Sequence, residues 1–214
     1  MGWLLDLWRR RRGRRKVAGL VPRQFRRDGV IFIHVPKCAG SAFLDAYLGW
    51  QTGHPTAAEY RDADPGFFDS AYVFTFVRHP LERFVSAYRH VQTDDLWPVL
   101  ADARAVVARH GGSLDEVARN LRADSELLRL PWFAPQHTFL EIRGRPAIHR
   151  AFKTESFDDD LAVLLAEKPL RLRAPAAVNR RGGGAATPEA GLSADAVAAL
   201  RRVYARDLTL FGYY

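Results

Sequence analysis

The sequence lacks the features that mark several classes of protein. Its 214 residues include one cysteine, Cys38, which excludes a disulfide framework and a zinc site built from cysteines. No apolar run approaches the roughly 20 residues that a membrane-spanning helix needs. Hydrophobic residues still make up 48% of the chain, which is enough to bury a core, so general disorder is excluded. Length and composition therefore predict one folded domain.

The excess of positive charge is confined to the N-terminus. Residues 1–28 hold ten cationic and two anionic side chains, which accounts for the whole net charge of +8 and leaves 22 of each sign in the rest of the chain. A folded nucleic-acid binder usually carries a basic face on the fold itself, so we expect no nucleic-acid partner. We predict a basic N-terminal extension, residues 1–28, and a single domain, residues 29–214.

The N-terminal extension has two interpretations. Its apolar start precedes the arginines, whereas a secretory signal carries its charges first, so we expect a cytoplasmic protein. In the first interpretation the apolar residues Trp3, Leu4, Leu7 and Trp8 meet an anionic membrane surface while the arginines hold the headgroups. That would place the protein peripherally at the inner face of the membrane. In the second interpretation the extension is solvated or packs on the domain.

Strands and helices alternate along the remaining chain. Short apolar runs predict strands at 30–34, 71–77, 147–154 and 171–179, and helical spacing of apolar residues predicts helices between them. Two helix starts are predicted by capping residues, one by Ser113 with Glu116 and one by Ser156. The alternation predicts an α/β fold with a central, mainly parallel sheet flanked by helices.

The turn after the first strand has the form of a phosphate-binding loop. The strand runs into a tight turn and a helix follows, so that loop amides and the helix N-terminus make an anion site. Lys37 adds a charge and Ser41 a hydroxyl. The spacing is not Walker A, because Lys37 stands three residues before Gly40 instead of directly after a glycine. An ordinary strand–helix turn with a surface lysine is the alternative. The loop consists of Pro36, Lys37, Cys38, Ala39, Gly40, Ser41 and Ala42.

Cys38 in this loop is a poor candidate nucleophile. A phosphatase loop of this kind needs an arginine six residues after the cysteine, and Leu44 stands there. We interpret Cys38 as a small residue that fills a tight loop.

The second strand ends in a ligand for anions. An NTPase strand would usually end in an aspartate that holds Mg²⁺, whereas this one ends in Arg78. Ser86 follows about two helical turns later and is placed to share a phosphate with Arg78. The sequence therefore predicts two anion sites and no metal site, which suits a donor with two separate anionic ends.

Two segments, FIHVPKCAGSAF and FTFVRHPLERFVSAYRH, resemble the carbohydrate-type sulfotransferases, the group of the heparan 2-O and chondroitin sulfotransferases and their bacterial relatives. The resemblance implies a P-loop-like three-layer fold and 3′-phosphoadenosine 5′-phosphosulfate as co-substrate, without a metal. It implies that residues 36–42 hold the 5′-phosphosulfate and that Arg78 and Ser86 hold the 3′-phosphate. The acceptor it favours is a hydroxyl of a carbohydrate or glycolipid. Later segments, among them WFAPQHTFL and FKTESFDDDLAVLL, extend the likeness over about residues 30–214.

The resemblance also suggests residues for the chemistry. Lys37 would stabilise charge on the leaving phosphate. His54, in GHPTAAEY, would take the proton of the acceptor hydroxyl, with Glu59 as a weaker alternative. Gln136 and His137 are candidate substrate contacts. The pair Arg180 and Arg181 is either a further contact to the 3′-phosphate or solvated surface.

The chain departs from the family at two places. The family usually has Thr-Gly where this chain has Cys38 and Ala39, and Asp or Asn where His79 stands. Neither change removes an inferred anion ligand. Two other functions stay open: a nucleotide-dependent kinase, which the missing Walker A spacing and strand-end aspartate disfavour, and a noncatalytic protein that binds membrane or nucleic acid through the basic extension.

Overall fold

The computed structural model of the protein describes residues 19–93, 98–173 and 191–213. The strands are β1 (Val30–Ile33), β2 (Tyr72–Val77), β3 (Glu141–Ile142), β4 (Arg145–Pro146) and β5 (Arg150–Lys153). The helices are α1 (Arg23–Asp28), α2 (Gly40–Tyr47), α3 (Ala57–Ala63), α4 (Pro65–Ser70), α5 (Pro80–Val91), α6 (Pro98–Ala108), α7 (Leu114–Arg119), α8 (His137–Leu140), α9 (Phe157–Glu167), α10 (Ala194–Val203) and α11 (Ala205–Leu210). Two short 3₁₀ turns span Glu126–Arg129 and Thr154–Ser156.

A three-stranded parallel sheet forms the centre of the domain, in the order β1-β2-β5. Every residue of β1 is buried, as expected for a parallel strand that helices cover on both faces. Strands β3 and β4 form a separate antiparallel ribbon. The predicted α/β class with a mainly parallel sheet flanked by helices is confirmed, while the P-loop-like three-layer detail stays a prediction.

Two predicted strands differ from what the structure has. The run predicted as a strand at 147–154 pairs with the sheet only over β5. At the start of the run predicted at 171–179, the Arg173 amide donates to the Ala46 carbonyl (2.6 Å) and its guanidinium to the Leu48 carbonyl (2.9 Å). Arg173 therefore bonds to the end of α2, and residues 171–173 form no strand. Residues 174–179 lie outside the described part of the chain.

Of the two helix starts predicted from capping residues, one has the predicted side-chain cap and the other does not. Ser113 and Glu116 form the predicted capping box at α7. Ser156 makes no side-chain cap at α9, because a 3₁₀ turn over Thr154–Ser156 leads directly into that helix. The departure at His79 has a structural reason: its Nδ1 accepts from the Leu81 amide (3.3 Å), so the imidazole caps α5 where the family uses Asp or Asn.

Aromatic side chains fill the core around the sheet. Phe43 on α2 contacts Phe32 on β1 at 4.7 Å between ring centroids, and Phe76 on β2 lies 5.8 Å from Phe152 on β5. A second cluster joins α5, α6, α7 and α10, with Phe84, Phe133 and Leu200 buried inside it. Burial of each such side chain contributes roughly 1.5–3 kcal/mol, so these contacts fix how α2 lies against the sheet and how α5 lies against α6 and α10.

Part of the predicted N-terminal extension packs on the domain. Phe25 of α1 is fully buried in the core around the sheet, and the Tyr47 hydroxyl donates to the Asp28 carboxylate (2.7 Å). A boundary at residue 29 would cut through this packing. Residues 1–18, which carry most of the predicted membrane contact, lie outside the described part. Among the described helices, none has both the length and the apolar character needed to cross a bilayer.

Candidate functional site

The predicted donor loop and Arg78 lie side by side at the carboxyl edge of the sheet. The parallel register places Ile33 of β1 opposite Thr75 of β2, and the Thr75 hydroxyl donates to the Ile33 carbonyl (2.8 Å). The chain therefore leaves both strands at the same edge, into residues 36–42 after β1 and Arg78 after β2. Ligands of open α/β sheets bind at this edge.

The loop has an unusual backbone conformation, and the helix that follows it, α2, begins without a side-chain cap. Lys37 (φ 67°) and Ala39 (φ 58°) are both left-handed. No side chain caps α2, so its first amide groups, which have no partner inside a helix, remain available to an anion. A Cβ on Gly40 would stand 2.2 Å from Cδ2 of His34, so a glycine is required there. Lys37 is half-buried and Ser41 is exposed beside these amides.

Cys38 faces the protein interior. Its thiol is fully buried and donates to Oε1 of Gln136 (3.2 Å), with the Pro36 carbonyl at 3.6 Å. Burial raises the pKa of Cys38 to about 12, so the residue is a neutral thiol near pH 7. This environment agrees with the interpretation of Cys38 as a small residue that packs inside the loop, and it does not suit a nucleophile.

Gln136 connects the loop to the end of β2. Its Oε1 accepts from both the Cys38 thiol and the Arg78 amide (3.0 Å), and its Nε2 donates to the Arg78 carbonyl (2.8 Å). The side chain is completely buried. Contact with a substrate, as predicted from the sequence, would require these bonds to break. In this structure Gln136 instead fixes the distance between the two candidate anion sites.

Arg83 also holds the loop in place, and the sequence did not reveal this role. It is only 1% exposed, and its guanidinium donates to the carbonyls of Pro36 (2.9 Å), Ala134 (2.9 Å) and Pro131 (3.2 Å). No carboxylate pairs with it among the described residues. Its charge acts on the loop, where it opposes the raised pKa of Cys38. Arg83 therefore both anchors the loop and adds positive potential beneath it.

Arg78 lies two residues before α5 begins, and Ser86 lies in the second turn of that helix. The Arg78 guanidinium forms an ion pair with Glu82, one helical turn on, at 3.0 Å from Nη2 to Oε2. Ser86 follows one further turn on and is half-buried. The structure thus brings together the two residues predicted to hold a 3′-phosphate, with a carboxylate between them.

His54 lies beside the same loop. Its Nδ1 is 2.9 Å from the carbonyl oxygen of His34, and the two imidazole rings are 4.3 Å apart between centroids. A carbonyl only accepts, so Nδ1 of neutral His54 carries the proton and Nε2 carries the lone pair. Burial, followed by the nearby His54, lowers the pKa of His34 well below its usual value, so His34 is neutral near pH 7. His54 is therefore held in the tautomer that suits a proton acceptor.

A second histidine is oriented by a buried carboxylate. Nδ1 of His137 contacts Oδ1 of Asp207 at 2.7 Å, and Asp207 also accepts the amides of Gln136 (2.7 Å) and His137 (2.9 Å). Asp207 is fully buried and lies 70 residues away in sequence, which gave no signal for this pair. In the neutral imidazole this contact holds the proton on Nδ1, so that Nε2, at the start of α8, carries the lone pair.

The remaining predicted residues lie less directly at the site. Glu59 closes a capping box at α3, where its Oε2 accepts from the amide (2.8 Å) and hydroxyl (2.9 Å) of Thr56. Arg180 and Arg181 lie outside the described residues. Within the described ranges, no group of three potential metal ligands comes together.

A separate groove of about 610 Å³ lies between α3, α4 and the β3–β4 ribbon. Arg61, Arg143 and Arg145 line it, and the loop and Arg78 do not. We place the candidate site at the carboxyl edge of the sheet, because the convergent cations and histidines are there.

The left-handed conformation of Ala39 leads to a prediction about the free energy of unfolding. An L-residue in this conformation costs about 1–2 kcal/mol, which exceeds the roughly 0.5–1 kcal/mol that a glycine loses in backbone entropy. Ala39→Gly should therefore raise the free energy of unfolding by about 0.5–1 kcal/mol, measured by urea denaturation. Ala42→Gly, inside α2, should lower it by a similar amount. Equal losses in both variants would contradict the left-handed loop.

The burial of Arg83 leads to a second prediction about the free energy of unfolding. Arg83→Met should lower the free energy of unfolding by about 3 kcal/mol or more, because three buried carbonyls lose a charged donor. Arg89→Met, at an exposed position of the same helix, should cost less than about 1 kcal/mol. Urea denaturation of both variants measures the difference. A small, equal loss in the two variants would show that the guanidinium does not hold the loop.

Comparison with known proteins supplies an independent result. Residues 54–123 match the model of the Sulfotransferase family. The matched stretch begins at His54, contains Arg78 and Ser86, and starts after the loop at 36–42. No curated protein and no solved structure matches the chain. The heparan 2-O or chondroitin subtype stays a prediction. Over residues 54–123, which are about a third of the chain, the match supports the resemblance to sulfotransferases found in the sequence.

Proposed function

We propose that this chain transfers a sulfuryl group from 3′-phosphoadenosine 5′-phosphosulfate to a hydroxyl of a carbohydrate or glycolipid. One observation carries the proposal: two cationic anion sites share one edge of the sheet. The uncapped start of α2 with Lys37 forms the first, and Arg78 with Ser86 forms the second. A donor with anionic groups at both ends of a nucleoside suits such a pair, and the family match supports the reaction class.

The two anion sites would divide the donor between them. The 5′-phosphosulfate would lie against the amides of Gly40, Ser41 and Ala42, since helix N-termini stabilise anions through both amides and dipole. The 3′-phosphate would bind the Arg78 guanidinium and the Ser86 hydroxyl. Charge-assisted hydrogen bonds of this kind are the stronger class, so the 3′-phosphate should contribute much of the affinity.

The transfer step is an in-line displacement. The acceptor oxygen forms a bond to sulfur while the bond from sulfur to the 5′-phosphate oxygen breaks, so negative charge grows on the leaving phosphate. Lys37, the loop amides and the buried charge of Arg83 lie where they would stabilise that growing charge. The leaving group departs as adenosine 3′,5′-bisphosphate.

The acceptor hydroxyl must lose its proton during this step. His54 is the proposed base, because the His34 carbonyl holds the proton on Nδ1 and leaves Nε2 as the acceptor. His137 is the alternative, since Asp207 orients it in the same sense. His54 is favoured because it is fixed to the residue that leads into the donor loop.

The donor assignment predicts a preference for the 3′-phosphate. Adenosine 3′,5′-bisphosphate should bind without Mg²⁺ and at least about tenfold more tightly than adenosine 5′-monophosphate, because the second nucleotide lacks the charge-assisted contacts worth about 1.5–3 kcal/mol. Isothermal titration calorimetry measures both constants.

Arg78→Ala should remove this preference and leave affinity for the 5′-monophosphate nearly unchanged. Arg109→Ala serves as control, since Arg109 pairs with Glu126 on the exposed surface away from the loop. Equal affinity of the wild-type protein for the two nucleotides would refute the donor assignment.

The base assignment predicts a loss of turnover. His54→Ala should reduce the rate by roughly 10²–10⁴-fold, the usual contribution of a positioned base, while affinity for adenosine 3′,5′-bisphosphate stays the same. The rate is measured as labelled sulfuryl transfer from the donor to cell-envelope glycans and glycolipids. The variant should also lose the rise in rate with pH that a general base produces.

His137→Ala distinguishes the two histidines. If His137→Ala abolishes turnover and removes the pH dependence while His54→Ala leaves both intact, His137 is the base and the assignment is wrong.

A further inference from the structure

The candidate 3′-phosphate site already contains an anion of the protein itself. Oε2 of Glu82 accepts from both Nε (3.2 Å) and Nη2 (3.0 Å) of Arg78. These two donors form the side edge of the guanidinium, which is one of the edges that grips an anion with two parallel hydrogen bonds. In the described structure one carboxylate therefore occupies that edge of Arg78.

The spacing along α5 places this carboxylate inside the phosphate site. Glu82 and Ser86 lie one turn apart on the same face of α5, and Arg78, two residues before the helix begins, reaches back to the Glu82 carboxylate. A phosphate that binds both Arg78 and Ser86 would lie close to the Glu82 carboxylate, because that carboxylate contacts Arg78 and is one turn from Ser86. Two anions at that distance repel each other, so either the carboxylate leaves Arg78 or the phosphate binds weakly.

Glu82 has a favourable position after it releases Arg78. It lies in the first turn of α5, where the helix dipole stabilises a negative charge, and its side chain is 27% exposed to solvent. The neighbouring acid, Glu155, is already engaged, because it accepts from the His79 amide (2.6 Å) and the Tyr213 hydroxyl (2.9 Å). The exchange at Arg78 therefore involves Glu82 and not Glu155.

We propose that Glu82 competes with the 3′-phosphate for Arg78 and thereby sets how tightly nucleotide is held. The proposal rests on the proposed function, since it concerns the 3′-phosphate of that donor. Both the donor and its product, adenosine 3′,5′-bisphosphate, carry this phosphate. A competing carboxylate weakens the grip on the product as well, and so allows its release after each transfer. An ordinary first-turn acid that only stabilises α5 would change stability and leave nucleotide preference untouched.

Glu82→Gln tests the competition, because the amide keeps the size of the side chain and removes its charge. Calorimetric titration of the full chain should show affinity for adenosine 3′,5′-bisphosphate raised on the order of tenfold, as expected when a repelling charge is removed. Affinity for adenosine 5′-monophosphate should stay within about twofold, because that ligand lacks the 3′-phosphate. In turnover assays the variant should show stronger inhibition by the bisphosphate product.

Glu126→Gln is the matched control, since Glu126 is also a first-turn acid paired with an arginine, Arg109. It should change neither affinity. Weaker binding of the bisphosphate by Glu82→Gln would overturn the proposal and make Glu82 a residue that positions Arg78. An equal gain for both nucleotides would overturn it too, as a general effect of charge. Wild-type protein without a preference for the bisphosphate would refute the proposed donor, and this inference with it.

Discussion

The candidate site depends on the hydrogen bonds that the buried guanidinium of Arg83 donates to three backbone carbonyls. It reaches from α5 to the carbonyl of Pro36 in the loop and to two carbonyls of the segment before α8. A charged group without a carboxylate partner is costly to bury, and backbone carbonyls offset that cost only when all of them are correctly placed. The position of the loop, the start of α5 and the 131–136 segment are therefore set together.

The consequence of this arrangement is electrostatic. The first amides of α2 and the Arg83 charge act on one end of the site, and Arg78 acts on the other, while Gln136 fixes the separation between them. Glu82 forms an ion pair with Arg78 at the second end. In the proposed function, the site would recognise charge at two points, as a donor with two anionic ends requires. The two oriented histidines, His54 and His137, add proton acceptors at its border.

The sequence was sufficient for the parts of this account that depend on local pattern. The apolar runs at β1 and β2, the loop between β1 and α2, and the capping box at α7 follow from composition and spacing. Parallel pairing then brings the loop and Arg78 to one edge without further information. The extent of β5 and the absence of a strand at 171–173 depend on partners elsewhere in the chain, which a strand pattern does not reveal.

The sequence does not reveal the residues that support the site, because their partners are also distant in the chain. Arg83 is an arginine on an amphipathic helix, which normally lies in solvent, and only the path of the 131–136 segment buries it. Asp207 meets His137 across 70 residues of sequence, and Gln136 was interpreted as a substrate contact because nothing local shows that it is enclosed. Phe25 likewise belongs to the core although it stands in a basic segment.

The most direct test of the central claim is an experimental structure of the chain with adenosine 3′,5′-bisphosphate. The account predicts the 5′-phosphate at the amides of Gly40, Ser41 and Ala42, beside Lys37, and the 3′-phosphate on Arg78 and Ser86 with Glu82 turned away. A nucleotide bound elsewhere, such as in the groove lined by Arg61, Arg143 and Arg145, or bound with its 3′-phosphate remote from Arg78, would contradict it.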